Sequence, residues 1–292
     1  MSQVFDALKR SGVVIPSLDS AAEPARELGI ATLDQVPCFQ PHPSAHHRLA
    51  VLSDSPNMGG EQIRMLTTRL GDVQRQRQLK TLLITSSIKD EGKSVLSANI
   101  AISLATMQKR VLLLDGDFHQ SSLADLLGAG EPSGLEGWWR TDRPVVNYLT
   151  KMRTLPLWFL AAGRPFPQTP EMLQSLRLST LLNQLAATFD WVIIDSPPLA
   201  PLADATVWAS LADATLLVVR LKRTPTKVLT KMLDSMDRRK LLGLVVNECK
   251  DRHLSYYAQY YKNMSRKKET PRPLAASTIR ELSSSRKPRS EK

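Results

Sequence analysis

Between residues 61 and 250, short apolar runs alternate with segments of helical periodicity, and this alternation constrains the fold more than any other feature. Nearly continuous apolar runs are typical of strands that are buried on both faces of a parallel sheet, with helices as the crossover connections. The predicted strands are TLLITS (81–86), RVLLLD (110–115), LWFL (157–160), DWVIID (190–195), ATLLVV (214–219) and LLGLVVN (241–247). The predicted helices span 61–78, 94–108, 171–188 and 225–239. The sequence therefore predicts an α/β fold in which helices flank both faces of a parallel β-sheet.

A candidate phosphate-binding loop lies in residues 82–95, LLITSSIKDEGKSV. Gly92, Lys93 and Ser94 follow a predicted strand and open a predicted helix, which is the context that such a loop requires. The backbone N–H groups of the loop and the helix N-terminus would face an anion. Lys93 would reach the outer phosphates and the Ser94 hydroxyl would bind Mg²⁺. Because both flanks fit, we set aside a chance match and predict a fold of the P-loop NTPase type.

The interior of this loop departs from the common pattern. Ser87 takes the place of the first glycine, and Lys89, Asp90 and Glu91 fill the interior. Without a glycine at position 90, a positive φ is costly there, although Asp tolerates left-handed geometry better than most residues. The charge of Asp90 is also unfavourable near phosphates, an effect that Lys89 can offset.

Three aspartates follow two of the predicted strands. Asp115 and Asp117 end the strand in VLLLDGDF, and Asp195 ends the strand in FDWVIIDSPP. Ligands of open α/β sheets bind outside the carboxyl ends of the strands. Of the first two carboxylates, one can hold Mg²⁺ and the other can accept a proton from an attacking hydroxyl. The alternative is that this pair caps the following helix.

Composition bounds the cellular context. The 292-residue chain has two cysteines, Cys38 and Cys249, which are far apart and fit a reducing compartment better than a disulfide framework. The start, MSQVFDALKRSG, lacks the apolar core of a signal peptide, and no apolar run approaches the ~20 residues that span a bilayer. We therefore expect a cytoplasmic protein that reaches the inner face of the plasma membrane only through a surface or a partner.

The net charge of +11 is concentrated at the C-terminus. Residues 262–292 hold ten basic and three acidic residues, a net +7, in a Ser- and Pro-rich context that is typical of disorder. Charge alone leaves three interpretations open, namely a solubilising tail, attraction to anionic lipid and attraction to nucleic acid. We predict three zones: a short helix and a flexible linker in 1–60, a P-loop domain in 61–261, and this basic tail in 262–292.

The motif order TSSxxxEGKS, LLLDGDF and IIDSPP resembles the bacterial tyrosine kinases of capsule and exopolysaccharide production. These kinases are a branch of the P-loop NTPases with deviant Walker motifs that also include the partitioning ATPases. The similarity runs from about Glu61 to Tyr261. The double Pro after Asp195 favours the kinase branch, as does the absence of a lysine near Ser86 and Ser87, where partitioning ATPases carry their signature lysine.

This resemblance implies a Mg·ATP-dependent tyrosine autokinase. It implies catalytic roles for Lys93, Asp115, Asp117 and Asp195, and Mg²⁺ bound by Ser94, Asp115 and Asp195. The implied nucleotide-binding residues are Ser87, Asp90, Glu91, Gly92, Lys93, Ser94, Val95 and Asn247. The chain departs from the family pattern in three places: Lys89-Asp90 stand where the family loop usually reads Pro-Gly, His119 stands where the family has Arg, and in the oligomerisation motif Glu61 and Arg64 are followed by Thr67 instead of a second Arg.

Four of the five tyrosines lie within six positions, in SYYAQYYKN. The alternative explanation is an aromatic helix face, because Tyr256/Tyr260 and Tyr257/Tyr261 are i,i+4 pairs. We favour autophosphorylation sites, since the cluster borders the basic tail.

The resemblance implies partners as well. We expect a homo-oligomer, a transmembrane adaptor of the polysaccharide-copolymerase type, and a phosphotyrosine phosphatase and an anionic membrane surface as further partners, with nucleic acid not expected. A nucleotide-switched ATPase with little phosphotransfer to protein is the alternative to the kinase.

Overall fold

The computed structural model describes residues 33–41, 48–53, 57–200 and 203–248. In this part of the chain eight strands form one sheet in the order β1-β4-β5-β3-β6-β2-β7-β8. The strands are β1 Cys38–Phe39, β2 Thr81–Ser86, β3 Val111–Asp115, β4 Leu149–Met152, β5 Leu157–Leu160, β6 Trp191–Asp195, β7 Ala214–Arg220 and β8 Leu241–Asn247. The six predicted strands are confirmed, and β1 and β4 are additions at one edge.

The sheet is parallel apart from one pair. β4 runs antiparallel to β5, with Leu149 opposite Leu160, while every other neighbouring pair is parallel. Only residues 153–156 join these two strands, and so short a connection allows a hairpin but not the crossover that parallel strands need. The predicted parallel sheet is thus confirmed with an antiparallel correction at β4.

Eight α-helices accompany these strands in the described residues. They are α1 Met58–Arg77, α2 Lys93–Thr106, α3 Leu123–Leu127, α4 Gly134–Trp139, α5 Thr169–Leu173, α6 Leu176–Thr188, α7 Asp204–Leu211 and α8 Thr226–Ser235. The predicted helix over 171–188 is in fact two helices. Ser175 separates them, because its hydroxyl accepts a hydrogen bond from the Leu178 N–H (3.1 Å) and so caps the second helix.

Helices cover both faces of the sheet, as predicted. In β3, Leu113 packs into the cluster that contains Leu70 of α1 and Ile100 of α2. Leu112, its neighbour, packs on the opposite face with Leu181 of α6. Successive strand residues point to opposite faces, so a run without polar residues requires a core on each side.

Part of the predicted linker belongs to the folded unit. Phe39 lies in β1, Leu49 is fully buried, and the Asn99 amide donates to the Arg48 carbonyl oxygen (2.9 Å). At these positions the linker prediction is corrected, because their apolar side chains complete the core beside α2. The short helix predicted near the N-terminus and the basic tail lie outside the described residues. None of the described helices is both long and apolar enough to cross a bilayer.

The topology gathers the motif-bearing strand ends at one edge. β6 lies between β2 and β3, with Ile84 and Asp115 as the two neighbours of Asp195 in the register. The loop after β2 leads directly into α2. Because parallel strands end at a common edge, the loop and the three aspartates meet there.

Candidate nucleotide site

The phosphate loop ends in a left-handed turn at Gly92. Its φ of +91° is a left-handed value, and the helix begins at the next residue, with Leu96 N–H donating to the Gly92 carbonyl oxygen (3.0 Å). The Asn247 amide donates to the Glu91 carbonyl oxygen (3.0 Å), and a Cβ on Gly92 would lie 2.2 Å from its nitrogen. The turn therefore requires glycine for both its backbone angle and its contact with β8.

Asp90 adopts a left-handed backbone conformation, which the sequence analysis expected to be costly for a residue other than glycine. Its φ is +65°, a value that Asp tolerates better than most residues. Its carboxylate lies 3.5 Å from the Arg223 guanidinium, and Arg220 donates to its carbonyl oxygen (3.2 Å). The charge that offsets Asp90 in this structure comes from the loop after β7.

Glu91 shapes the loop from beneath. Its side chain is fully buried, and one carboxylate oxygen accepts from the Ile88 N–H (3.0 Å). The other accepts from the Thr224 hydroxyl and, at 3.4 Å, from the Arg220 N–H. These bonds join the loop after β2 to the loop after β7. Glu91 thus holds the loop in place, and its carboxylate does not line the cavity described below.

Lys93 points across the site to Asp117. Their Nζ and Oδ2 atoms are 2.9 Å apart, and both side chains are almost fully buried. Asp117 Oδ1 accepts from the N–H groups of His119 (3.2 Å) and Gln120 (2.9 Å). Burial disfavours the Lys93 ammonium, but Asp195 and the other two aspartates outweigh it and raise its pKa. Lys93 is therefore charged.

Asp115 and Asp195 lie side by side at the ends of β3 and β6. Burial, and then the charge of Asp195, raise the pKa of Asp115 to about 7, although Ser121 (2.6 Å) donates to it. Burial also raises the pKa of Asp195, against the charge of Lys93 and hydrogen bonds from Ser94 and Ser97. Two buried carboxylates that resist ionisation together are a place where a divalent cation is favourable.

A cavity of about 420 Å³ opens above these groups. Five of the predicted nucleotide-binding residues line it, and Asp117 does so too; the five are Asp90, Gly92, Lys93, Ser94 and Val95. The other three, Ser87, Glu91 and Asn247, are not in its lining and support the loop from behind. Ser87 is fully buried, and its hydroxyl has no hydrogen-bond partner among the described residues. The structure thus separates lining residues from supporting residues within the predicted set.

The predicted magnesium ligands are compatible with that ion. The Ser94 hydroxyl lies in the cavity wall, and Asp115 and Asp195 lie below it. No three His, Cys, Asp or Glu side chains of the described ranges form a metal-binding cluster. In nucleotide sites Mg²⁺ usually takes one or two protein groups, several waters and the substrate phosphates. Hydroxyl and carboxylate oxygens are ligands of the kind that Mg²⁺ prefers.

The sequence interpretation missed several residues. Ser97 donates to Asp195 (2.9 Å), and its position one helical turn after Ser94 would have placed it on the same face of α2. The Arg220 and Thr224 contacts with the loop cross about 130 positions and leave no local signal. The contact of His119 Nε2 with Asp204 Oδ2 (2.9 Å) was not predicted either, and it also joins distant segments.

The two residues predicted to form the oligomer interface lie on α1. Glu61 and Arg64 form an exposed ion pair one turn apart within the helix. Thr67, which replaces the expected arginine, is buried, and its hydroxyl contacts the Ser103 hydroxyl of α2 (2.9 Å). Position 67 therefore faces the core, where an arginine would have no room. Tyr256, Tyr257, Tyr260 and Tyr261 lie outside the described residues.

Comparison with known proteins agrees with this geometry. A sequence model of the ParA family, described as "ParA: NUBPL iron-transfer P-loop NTPase", matches residues 78–268. The succinoglycan biosynthesis transport protein ExoP of Rhizobium meliloti (strain 1021) is 32% identical over 189 residues, 62% of this chain and 24% of ExoP. The tyrosine-protein kinase YwqD of Bacillus subtilis (strain 168) is 29% identical over 212 residues, 72% of this chain and 89% of YwqD.

Among solved structures, the chimerical protein CapA2B2 aligns with a TM-score of 0.66 at 21% identity, covering 74% of this chain and 94% of that chain. This likeness confirms the P-loop NTPase fold. The chain spans about a quarter of ExoP's length but most of YwqD's. The match to the family model covers well over half of this chain, and the relatives confirm the kinase resemblance that the motifs predicted. The chain belongs to the ParA-like P-loop NTPases, within the branch of the bacterial tyrosine-protein kinases.

Proposed function

We propose that this protein transfers the γ-phosphoryl group of ATP to tyrosines of a neighbouring copy of itself. The observation that carries the proposal is the convergence of Lys93, Ser94 and Asp117 on one cavity at the carboxyl edge of the sheet. A P-loop lysine, a hydroxyl and a strand-end carboxylate are the parts that phosphoryl transfer requires. The family binds nucleotides, and we assign ATP as the donor.

Each residue has a distinct part in this proposal. Ser94, Asp115 and Asp195 would hold Mg²⁺, which would supply positive charge to neutralise the charge that develops on the outer phosphates. Lys93 leaves Asp117 for the phosphates when a nucleotide binds. Asp117 Oδ2 then loses its ionic partner and becomes the acceptor for the tyrosine proton.

The tyrosine cluster is the proposed acceptor of the phosphoryl group. It follows β8 closely, since the described part of the chain ends at residue 248 and Tyr256 is eight positions further on. Tethering within an oligomer would raise its local concentration at a neighbour's site into roughly the millimolar range. Each phosphate would add about −1.5 to −2 charge beside the basic run 262–268, so we expect the modified form to leave the neighbour's site.

A mixing experiment tests transfer between copies. Protein A carries Lys93→Met and intact tyrosines, and protein B carries Phe at all four cluster positions and an intact site. After incubation with Mg·ATP, mass spectrometry should find phosphotyrosine on protein A and none on protein B. If neither protein is modified while protein B binds ATP, the nucleotide-switched ATPase is the better description.

We further propose a transmembrane adaptor of the polysaccharide-copolymerase type as partner, and an oligomer that uses Glu61 and Arg64 of α1. The support for the adaptor is the family resemblance, together with the name of one relative, the succinoglycan biosynthesis transport protein ExoP. A pull-down from intact membranes with the wild-type chain should recover such a protein. Recovery of no membrane protein, with the bait folded and nucleotide-loaded, would contradict the adaptor.

The oligomer interface has its own test. If α1 forms the interface, Arg64→Glu should lower the molecular mass of the protein in light scattering.

A further inference from the structure

His119 lies at the mouth of the nucleotide cavity in a fixed pair with Asp204. Its Nε2 atom is 2.9 Å from Asp204 Oδ2. The His119 side chain is 52% exposed, whereas that of Asp204 is 16% exposed. His119 also lines the cavity together with Lys93 and Ser94. An imidazole is thus presented to the ligand space while a largely buried carboxylate holds it from behind.

The elements that carry the two residues are tied to each other. Trp208, on the same helix α7 as Asp204, is fully buried and donates from its indole nitrogen to the Gly116 carbonyl oxygen (3.1 Å). A Cβ on Gly116 would lie 2.7 Å from the Trp208 ring. His119 N–H in turn donates to the Asp117 carboxylate (3.2 Å). The position of Asp204 relative to the catalytic strand end is therefore fixed by packing.

We propose that His119, held by Asp204 as an imidazolium, contacts the phosphate chain of the bound nucleotide as a second cation beside Lys93. An imidazolium donates from both ring nitrogens, so the bond to Asp204 leaves Nδ1–H for a phosphate oxygen. Histidine changes charge between about pH 5 and pH 8, so this contact would make nucleotide affinity depend on pH, with tighter binding in the acidic part of that range. The inference rests on the proposed nucleotide site and adds a residue to it.

The other charges near His119 are those of the same cavity. Asp204 is its direct partner on α7, Lys93 comes from α2, and Asp117 from its own loop. The remaining charged groups of the lining are Arg48, Lys89 and Asp90. The cavity therefore holds three permanent cations and two carboxylates besides His119, and it is suited to a polyphosphate whose charge reinforces the imidazolium.

A purely structural role makes a different prediction. Asp204 opens α7, where a carboxylate stabilises the helix dipole, and a half-exposed ion pair contributes little by itself. In that case the removal of His119 would change stability slightly and leave nucleotide affinity unchanged at every pH.

Calorimetric titration with Mg·ATP at about pH 6 and pH 8 separates the two roles, because imidazole titrates between these values. At the lower pH, wild type should bind about three- to tenfold more tightly than His119→Gln, because a charged hydrogen bond to phosphate is gained, and at the higher pH the two should bind equally. The comparison at each pH removes the ionisation of the nucleotide and that of Asp115, whose raised pKa acts against Mg²⁺ at the lower pH. At the higher pH, His119→Arg should bind more tightly than wild type.

Asp204→Asn should reduce the gain in Mg·ATP affinity that His119 provides at the lower pH, because the carboxylate that favours the imidazolium is lost. Thermal melts establish that each variant is folded. Wild-type pH dependence in folded His119→Gln would overturn the inference and leave the nucleotide site standing. Absence of ATP binding by wild type at both pH values would overturn the proposed function together with the inference.

Discussion

Lys93 and Asp117 form a buried ion pair at the floor of the nucleotide cavity, with 2.9 Å between Nζ and Oδ2. The pair joins the first helical residue after the phosphate loop to the loop after β3. The lysine charge is compensated within the protein by this carboxylate. Phosphates must therefore compete with Asp117 for Lys93, and their binding releases the carboxylate that we assign to proton transfer.

Replacement of Lys93 by Met should weaken Mg·ATP binding at least tenfold, about 1.4 kcal/mol, because the cation for the outer phosphates is lost. Calorimetry measures the effect. Lys89→Met is the matched control, since Lys89 lines the same cavity without a buried partner carboxylate in the described residues. The loss should be clearly larger for Lys93. Unchanged affinity in Lys93→Met would contradict the phosphate-loop assignment.

The same substitution leaves Asp117 buried without its ionic partner, which is costly. The melting temperature of Lys93→Met should therefore be lower than that of wild type. Adding Asp117→Asn should restore much of the melting temperature without restoring ATP binding. A double variant that regains affinity would show that the charge of Lys93 is not required.

The Asp115 carboxyl should make stability depend on pH. Its pKa in the folded state is raised to about 7, so between about pH 4 and pH 7 the folded state keeps a proton that the unfolded state has lost. Stability therefore falls as pH rises through this window. Asp115→Asn removes this pH dependence. In denaturant titrations, the free energy of unfolding of Asp115→Asn should therefore exceed that of wild type by more at pH 8 than at pH 5.

Mg·ATP should reduce this difference at pH 8, because the cation favours ionised Asp115 in wild type. A gain for Asp115→Asn that is equal at both pH values would show that Asp115 titrates normally.

Gly92→Ala should abolish ATP binding in a protein that still folds. The new methyl group would lie 2.2 Å from the Asn247 amide nitrogen, and alanine is strained at a φ of +91°. The loop must therefore move away from the geometry that presents its N–H groups. Gly243→Ala is the control, because no atom lies within 4 Å of its added Cβ. Normal ATP affinity in Gly92→Ala would contradict the requirement for this turn.

Asp90→Gly and Asp90→Asn separate charge from backbone strain. Both remove a carboxylate from the cavity wall, and only glycine relieves the φ of +65°. The exposed pair with Arg223 contributes little. If charge dominates, as we expect, both variants should bind Mg·ATP about two- to fivefold more tightly. Tighter binding by Asp90→Gly alone would assign the effect to the backbone.

The layered fold and the position of the candidate site could be predicted from local features of the sequence. The stretches VLLL (111–114) and WVII (191–194) carry no polar residue on either face, so they are stable only inside a sheet that is covered on both sides. Gly92-Lys93-Ser94 between a strand and a helix, with Asp115 and Asp195 at later strand ends, identified the phosphate loop. These signals are local, and local physics suffices to interpret them.

Which of the predicted residues line the cavity depends on contacts between segments that are distant in the chain. Glu91 lies within the motif of the phosphate loop and Asn247 ends a predicted strand, yet both support the loop from behind. The Glu91 carboxylate accepts from the Thr224 hydroxyl, and the Asn247 amide donates to the Glu91 carbonyl oxygen and lies against Gly92. The antiparallel β4 follows from a connection that is too short for a crossover. The pairs Lys93–Asp117 and His119–Asp204 join segments that are 24 and 85 positions apart. Such contacts depend on how strands and helices stack, and no local pattern in the sequence encodes that arrangement.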